Sequence, residues 1–335
     1  MGDTLFIRTD AGSGVGTGHF MRMLALGEAW AQAGGRVAFG GTFPESLAHR
    51  ARAMGAEVFG APVGNDAEWT ALRAKESGAS VVAADGYAFP LHFQRSVRAA
   101  GFRLLVVDDN AENHSYDADW ILNVNVHASE AMYERRNPEC RCLLGPSYAL
   151  LRSAFRGAAR RNATVRGRRL LVTMGGADPP NATGLVLEAL RADSRALQAT
   201  VLVGGANPRL ADYQRQVSAG VRLLHDVDDV TSLMLEADVA LAAAGGTVWE
   251  LGLLGVPCVA LALASNQVGL AEELHRKGAL EFAGDARVAP DAALWLDRVC
   301  ALLDDPARSA ALVGVARALV DGNGALRVVQ SIKET

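Results

Sequence analysis

The chain has 335 residues, too many for one small core, so two domains of ordinary size are expected. Half of its residues are hydrophobic, 21% are charged, 6% are aromatic and the net charge is −4. That balance suits a globular protein and argues against a nucleic-acid partner or an electrostatically held membrane surface.

In chain order, LFIR (5–8), RVAFGG (36–41), SVVAAD (80–85), RLLVVDD (103–109) and WILNVN (120–125) read as strands. Residues 20–33, 66–77 and 90–100 have helical period. The apolar runs are continuous rather than alternating, as in parallel strands buried on both faces. Between about 145 and 168 the rhythm breaks in a basic, small-residue stretch that reads as a linker. It restarts with RLLVTMGG (169–176), ATVLVGG (199–205), VRLLHDV (221–227), ADVALAAAGG (237–246) and VPCVALAL (256–263). The expected fold is α/β, with two Rossmann-like domains facing across a cleft. Residues 1–150 form the first and 166–315 the second; 316–335 read as a C-terminal helix, for which packing back on the first domain is one option.

Four cysteines, Cys140, Cys142, Cys258 and Cys300, have neither zinc-ligand spacing nor a disulfide pattern. The chain starts directly in a strand, with no signal-peptide pattern, and its most apolar run, 251–264, is broken by Pro257. A cytoplasmic protein with no membrane partner is expected. Oligomeric state carries no signal.

The loop DAGSGVGTGHF (10–20) is the first candidate for chemistry. No frame of its glycines completes G-x-G-x-x-G, and no lysine follows for a Walker A motif. It ends with His19 at a helix start, where the dipole disfavours imidazolium, so a neutral ring could accept a proton. The alternative is a histidine that only caps the helix. In AGGTVWELG (244–252), Gly245 and Gly246 precede a helix start whose amides could hold a diphosphate. Thr247 and Glu250 have capping-box spacing, and a carboxylate binding ribose hydroxyls is the other reading of Glu250. Asn266 and Gln267 follow the next strand, either as phosphate contacts or as a turn, and MGGADPPN (174–181) is a third Gly-Gly loop.

The segments IRTDAGSGVGTGHFMRMLALGEAW, VVAADGY (81–87), LLVVDDNAENHSYDADWILNVN (104–125), LGPSYALLRSAF (144–155), LLVTMGGADPPNAT (170–183), AAAGGTVWELGLLGVPCV (242–259), SNQ (265–267) and VDGNGALRVV (320–329) follow one another along nearly the whole chain. Together they resemble the UDP-sugar hydrolases of pseudaminic acid biosynthesis, relatives of the glycosyltransferase-B-like enzymes. The resemblance implies release of UDP, with inversion, from a UDP-linked 2,4-diacetamido-2,4,6-trideoxyhexose, in making nonulosonic acid for surface glycans or flagellin.

It also implies site roles. His19 is the general base, and Asp10, Gly16, Thr17, Gly18, Arg22, Tyr87 and Asp109 belong to the sugar side. Val227 meets uracil through its backbone, Glu250 takes the ribose, and Gly176, Gly245, Gly246, Thr247, Asn266 and Gln267 surround the diphosphate. Ser265 departs from the pattern, where relatives often carry an acid. The D-x-D pairs Asp117/Asp119 and Asp226/Asp228 read as structural, so neither metal nor cofactor is expected. The rival reading is a glycosyltransferase of the same fold. The absence of an extended basic or amphipathic face for a lipid-linked acceptor favours water as the nucleophile.

Overall fold

The computed structural model describes all residues except 1, 2, 13, 63, 88, 159–166 and 335. The chain forms two compact units, residues 1–153 with 322–335 and residues 154–321. The core of the expected linker, 159–166, lies outside the described residues.

The first unit holds the strands β1 (Thr4–Thr9), β2 (Arg36–Gly40), β3 (Glu57–Phe59), β4 (Ala79–Asp85), β5 (Arg103–Val107), β6 (Trp120–Asn123) and β7 (Arg141–Leu144). They make one sheet in the order β3-β2-β1-β4-β5-β6-β7, with every neighbouring pair parallel. Helices α1 (Gly18–Gln32), α2 (Glu45–Ala53), α3 (Asp66–Glu76) and α4 (Leu91–Ala99) connect them. All of β1 is buried, which explains its unbroken apolar run. Phe20, Met23, Leu24 and Trp30 bury one stripe of α1 against this sheet, each large side chain contributing about 1.5–3 kcal/mol. At α3 the Asn65 side chain accepts the N–H groups of Ala67 and Glu68, a conventional N-cap.

The division between the units falls within α5 (Ser153–Gly157). In the second unit, β8 (Arg169–Thr173), β9 (Gln198–Val203), β10 (Val221–His225), β11 (Val239–Ala243), β12 (Cys258–Ala262) and β13 (Glu281–Asp285) form a parallel sheet in the order β10-β9-β8-β11-β12-β13. Its helices are α6 (Ala182–Ala192), α7 (Leu210–Gln216), α8 (Val230–Glu236), α9 (Thr247–Leu254), α10 (Ser265–Arg276), α11 (Ala292–Asp304) and α12 (Pro306–Leu319). The apolar run 251–264 is therefore the end of α9, a turn at Gly255, and β12. No helix among the described residues is long and apolar enough to cross a membrane.

The last helix, α13 (Gly324–Lys333), packs on α1 within the first unit. Residues 316–321, grouped with it from the sequence, instead finish α12 and its exit in the second unit. Ala325, Val328, Val329 and Ile332 enter the first core, and Lys333 Nζ donates to the Ala33 carbonyl at 2.8 Å. Gly324 meets the backbone so closely that a Cβ there would lie 2.2 Å from the Ala149 carbonyl oxygen. Gly324→Ala should therefore cost about 1–3 kcal/mol by overpacking, read as a lower urea midpoint; parental stability would show that α13 is not seated this way.

Candidate active site

In each sheet the strand order reverses direction next to the first strand of the unit, between β1 and β4 and again between β8 and β11. The crevice at the carboxyl ends of such strands is where open α/β sheets bind ligands. The Gly-rich loop after β1 lies there. Gly12 and Gly16 exchange N–H···O bonds of 3.0 and 2.7 Å, closing the loop into a small ring. Gly16 has φ +83°, a conformation that strains any residue with a Cβ. Asp10 anchors the ring: its carboxylate accepts the Thr42 N–H at 2.7 Å and pairs with Arg8 at 2.8 Å. Thr17 precedes α1 without a side-chain cap bond, and Gly18 is the first helical residue.

His19 then falls in the first turn of α1, with its side chain only 11% exposed. Its Nδ1 lies 2.7 Å from Asp85 Oδ1. Asp85 is the last residue of β4, wholly buried, and in parallel register with Thr9. Arg22, one turn along α1, donates through Nε and Nη2 to Asp85 (2.5 and 2.7 Å) and through Nη1 to Asp109 Oδ2 (2.6 Å). Burial alone would push the Asp85 carboxyl up, but Arg22 and then His19 outweigh it and hold it at about 2. Burial would likewise depress Arg22, yet Asp109 and Asp85 drive it above its ordinary range.

An ionised carboxylate only accepts hydrogen bonds, so Asp85 fixes a proton on Nδ1 of His19. The Nε2 lone pair is left to accept a proton. Arg22 Nη2 also comes within 3.2 Å of Nδ1, but in that tautomer it donates to Asp85 instead. Tyr87 stands edge-on to the imidazole, with ring centroids 5.0 Å apart, and is 56% exposed. Burial and then Glu112 push its hydroxyl above the usual range.

The structure thus gathers His19, Arg22, Tyr87 and Asp109 around Asp85, which in the sequence pattern is only the end of a strand. Arg22 faces two carboxylates, and Asp10 is committed to the loop. Asp109 is set by its backbone: its carbonyl accepts the side-chain amides of Asn123 (3.0 Å) and Asn125 (2.9 Å). The Tyr133 hydroxyl bonds to both Asn123 and the Asp108 carbonyl.

In the second unit the expected residues lie in the loops after β8, β10 and β11 and in the first turns of α9 and α10. Gly176 follows β8, and its carbonyl accepts the Ala206 N–H at 3.1 Å. Val227 follows β10, just after Asp226, which has φ +47° and donates its N–H to Val203. Gly245 turns the chain after β11, and Gly246 occupies the cap of α9. Thr247 is therefore the first helical residue, and the Thr–x–x–Glu spacing is not a capping box. Glu250 sits one position too late for that frame. Asn266 and Gln267 lie in the first turn of α10 rather than in a turn of loop. The Gln267 Oε1 accepts the Leu263 N–H at 2.8 Å, and its Nε2 lies 3.7 Å from where a Cβ on Gly245 would be. Gly245 and Gln267 are thus side by side. Of the D-x-D pairs, Asp117 and Asp119 both bind Arg98, and Asp119 also accepts the Leu104 N–H.

No family model matches the chain. It is similar to the spore coat polysaccharide biosynthesis protein SpsG of Bacillus subtilis (strain 168), 30% identical over 196 residues, 57% of each chain. Its matches to curated relatives span 57% and 54% of those proteins' own lengths. Among solved structures it is similar to HepE of Anabaena, crystallised with UDP and glucose, at TM-score 0.65 and 13% identity over 99% of this chain and 100% of that one. The glycotransferase of kitacinnamycin gives TM-score 0.64 and 16% identity over 99% of each chain. These likenesses show the fold alone: two α/β domains, each built on a Rossmann-like parallel sheet.

Because its carboxyl is depressed, Asp85 contributes stability that is complete above the ordinary carboxylate range and fades as pH falls towards about 2. Asp85→Asn should cost about 3 kcal/mol at neutral pH by breaking a buried ion pair. Urea unfolding at stepped pH should show that gap narrowing towards pH 2. A gap that stays constant with pH would deny Asp85 its charge.

Proposed function

We propose that the chain acts on a UDP-sugar, moving the sugar from its anomeric carbon to an oxygen nucleophile, with His19 as general base. The observation that carries this is the His19–Asp85 pair, with Nδ1 held at 2.7 Å and Nε2 left as the proton acceptor. Nε2 takes the proton of the attacking hydroxyl as the new C–O bond forms at the anomeric carbon. The bond to the β-phosphate oxygen breaks, and its electron pair leaves with UDP. Attack opposite the leaving group inverts that carbon.

The second unit carries groups suited to a nucleoside diphosphate. Gly245, its own N–H bonded to the Ala243 carbonyl, turns the chain so that the amides of Gly246 and Thr247 open α9, whose dipole favours an anion by about 0.3–1 kcal/mol. Asn266, Gln267 and the Gly176 loop supply further donors, Glu250 takes the ribose hydroxyls, and the backbone near Val227 meets the uracil. Tyr87, beside the imidazole, borders the sugar.

The nucleophile favoured here is a hydroxyl of an acceptor. This reading is supported by similarity to a polysaccharide biosynthesis protein and to a glycotransferase. Water is the second reading, favoured by the G-T-G-H loop and its likeness to hydrolases of diacetamido sugars; with water, the product is a free sugar.

The test is UDP release from UDP-linked diacetamido-trideoxyhexose and UDP-N-acetylglucosamine, with and without saccharide acceptors, following the anomer by proton NMR. His19→Ala should lose roughly 10²–10⁴-fold in rate while still binding UDP, and chelator should leave the rate unchanged. Acceptor-dependent release supports transfer, and free sugar without acceptor supports hydrolysis. A His19→Ala protein as fast as the parent would end the general-base assignment. Glu250→Gln should weaken UDP binding by about tenfold, about 1.4 kcal/mol, in calorimetry; unchanged affinity would remove Glu250 from the ribose.

A further inference from the structure

Arg22 carries one positive charge between two carboxylates, and only one of them touches His19. The group facing the imidazole from β4 is Asp85, from α1 it is Arg22, and from the loop after β4 it is Tyr87; Glu112 acts on Tyr87 from beyond. Asp109 makes no contact with the ring and is joined to the site through the Arg22 guanidinium.

The placement of Asp109 is imposed from behind. The Asn123 and Asn125 amides clamp its carbonyl, and Tyr133 ties Asn123 to the Asp108 carbonyl. The Asp108 carboxylate in turn takes the N–H groups of Asn110 and Glu112 and the Tyr116 hydroxyl. A loop this fully bonded holds the Asp109 carboxylate on Arg22 Nη1. The other Asp109 oxygen, Oδ1, is buried and has no hydrogen-bond partner among the described residues. A carboxylate left half satisfied out of water is costly. Its charge is therefore the property to account for.

With Asp109 present, one cation sits between two anions and the group carries a net charge of about −1. An imidazolium forming on His19 then faces a surplus of negative charge. Without Asp109, Arg22 and Asp85 nearly cancel and that support is lost.

We propose that Asp109 is a positioning residue that sets the proton affinity of His19, by holding Arg22 as a bridge so that Asp85 keeps most of its charge towards the imidazole. This rests on the reading of His19 as general base. A residue that only braced the loop would change rate or stability without moving any titration.

The experiment is an NMR pH titration of the His19 ring signals in the full chain, assigned by their loss in His19→Ala, alongside the pH–rate profile. Asp109→Asn keeps shape and removes charge; its His19 midpoint should fall measurably below the parent's, and the acid limb of the rate should follow. Asp109→Glu retains the charge and should stay close to the parent. A midpoint that is unchanged or raised in Asp109→Asn overturns the proposal, whatever happens to the rate. If Asp109→Asn does not fold, Asn125→Ala, which loosens the clamp, must lower the midpoint in the same direction, and no movement there overturns it. If the NMR midpoint moves and the acid limb does not, the charge device stands and the general-base reading fails.

Discussion

A guanidinium held between two carboxylates, mostly out of water, is the constraint on which the first unit's proposed site depends. Removing such charges from water costs several kcal/mol per ion, and the arrangement holds only when geometry and hydrogen bonding are nearly complete. Arg22 meets that condition with bonds of 2.5–2.7 Å to Asp85 and Asp109. Because Asp85 is fixed, the His19 ring is fixed, and its proton is assigned to Nδ1. The Gly-rich loop, anchored through Asp10 and closed by the Gly12–Gly16 bonds, delivers His19 to this place in the first turn of α1.

The two units share one sheet logic and divide the proposed work. Both place their Gly-rich loops at the carboxyl ends of strands flanking the reversal in strand order. In the first unit that position carries a histidine with a carboxylate partner. In the second it carries a glycine turn and a helix start, with Gln267 from the neighbouring helix alongside. One is suited to moving a proton and the other to meeting phosphate.

Much of this was legible in the sequence. The central strands are long and uniformly apolar, so their existence and the α/β class follow from pattern alone. The strands β3, β7 and β13 escaped because they are short edge strands, partly exposed and mixed in composition. Helix α2 escaped because its polar, Arg-rich sequence buries only Leu47, Ala48 and Ala51. His19, Arg22, Tyr87 and Asp109 could be named from the loop and from resemblance. Asp85 could not be tied to His19, 66 residues away, since the parallel pairing of β1 with β4 is what brings them together and periodicity carries no strand order. The Thr247 frame failed for a local reason: Gly246 takes the cap position, displacing the apparent capping box by one residue.

The central claim is that Asp85 makes Nε2 of His19 the proton acceptor, and the ring's tautomer tests it most directly. Nitrogen-15 NMR of histidine-labelled protein, at a pH where His19 is neutral, distinguishes the two ring nitrogens. The account predicts the proton on Nδ1 and a bare Nε2, with that preference lost in Asp85→Asn. A proton found on Nε2 in the parent would contradict it, because that nitrogen could then take nothing from a nucleophile.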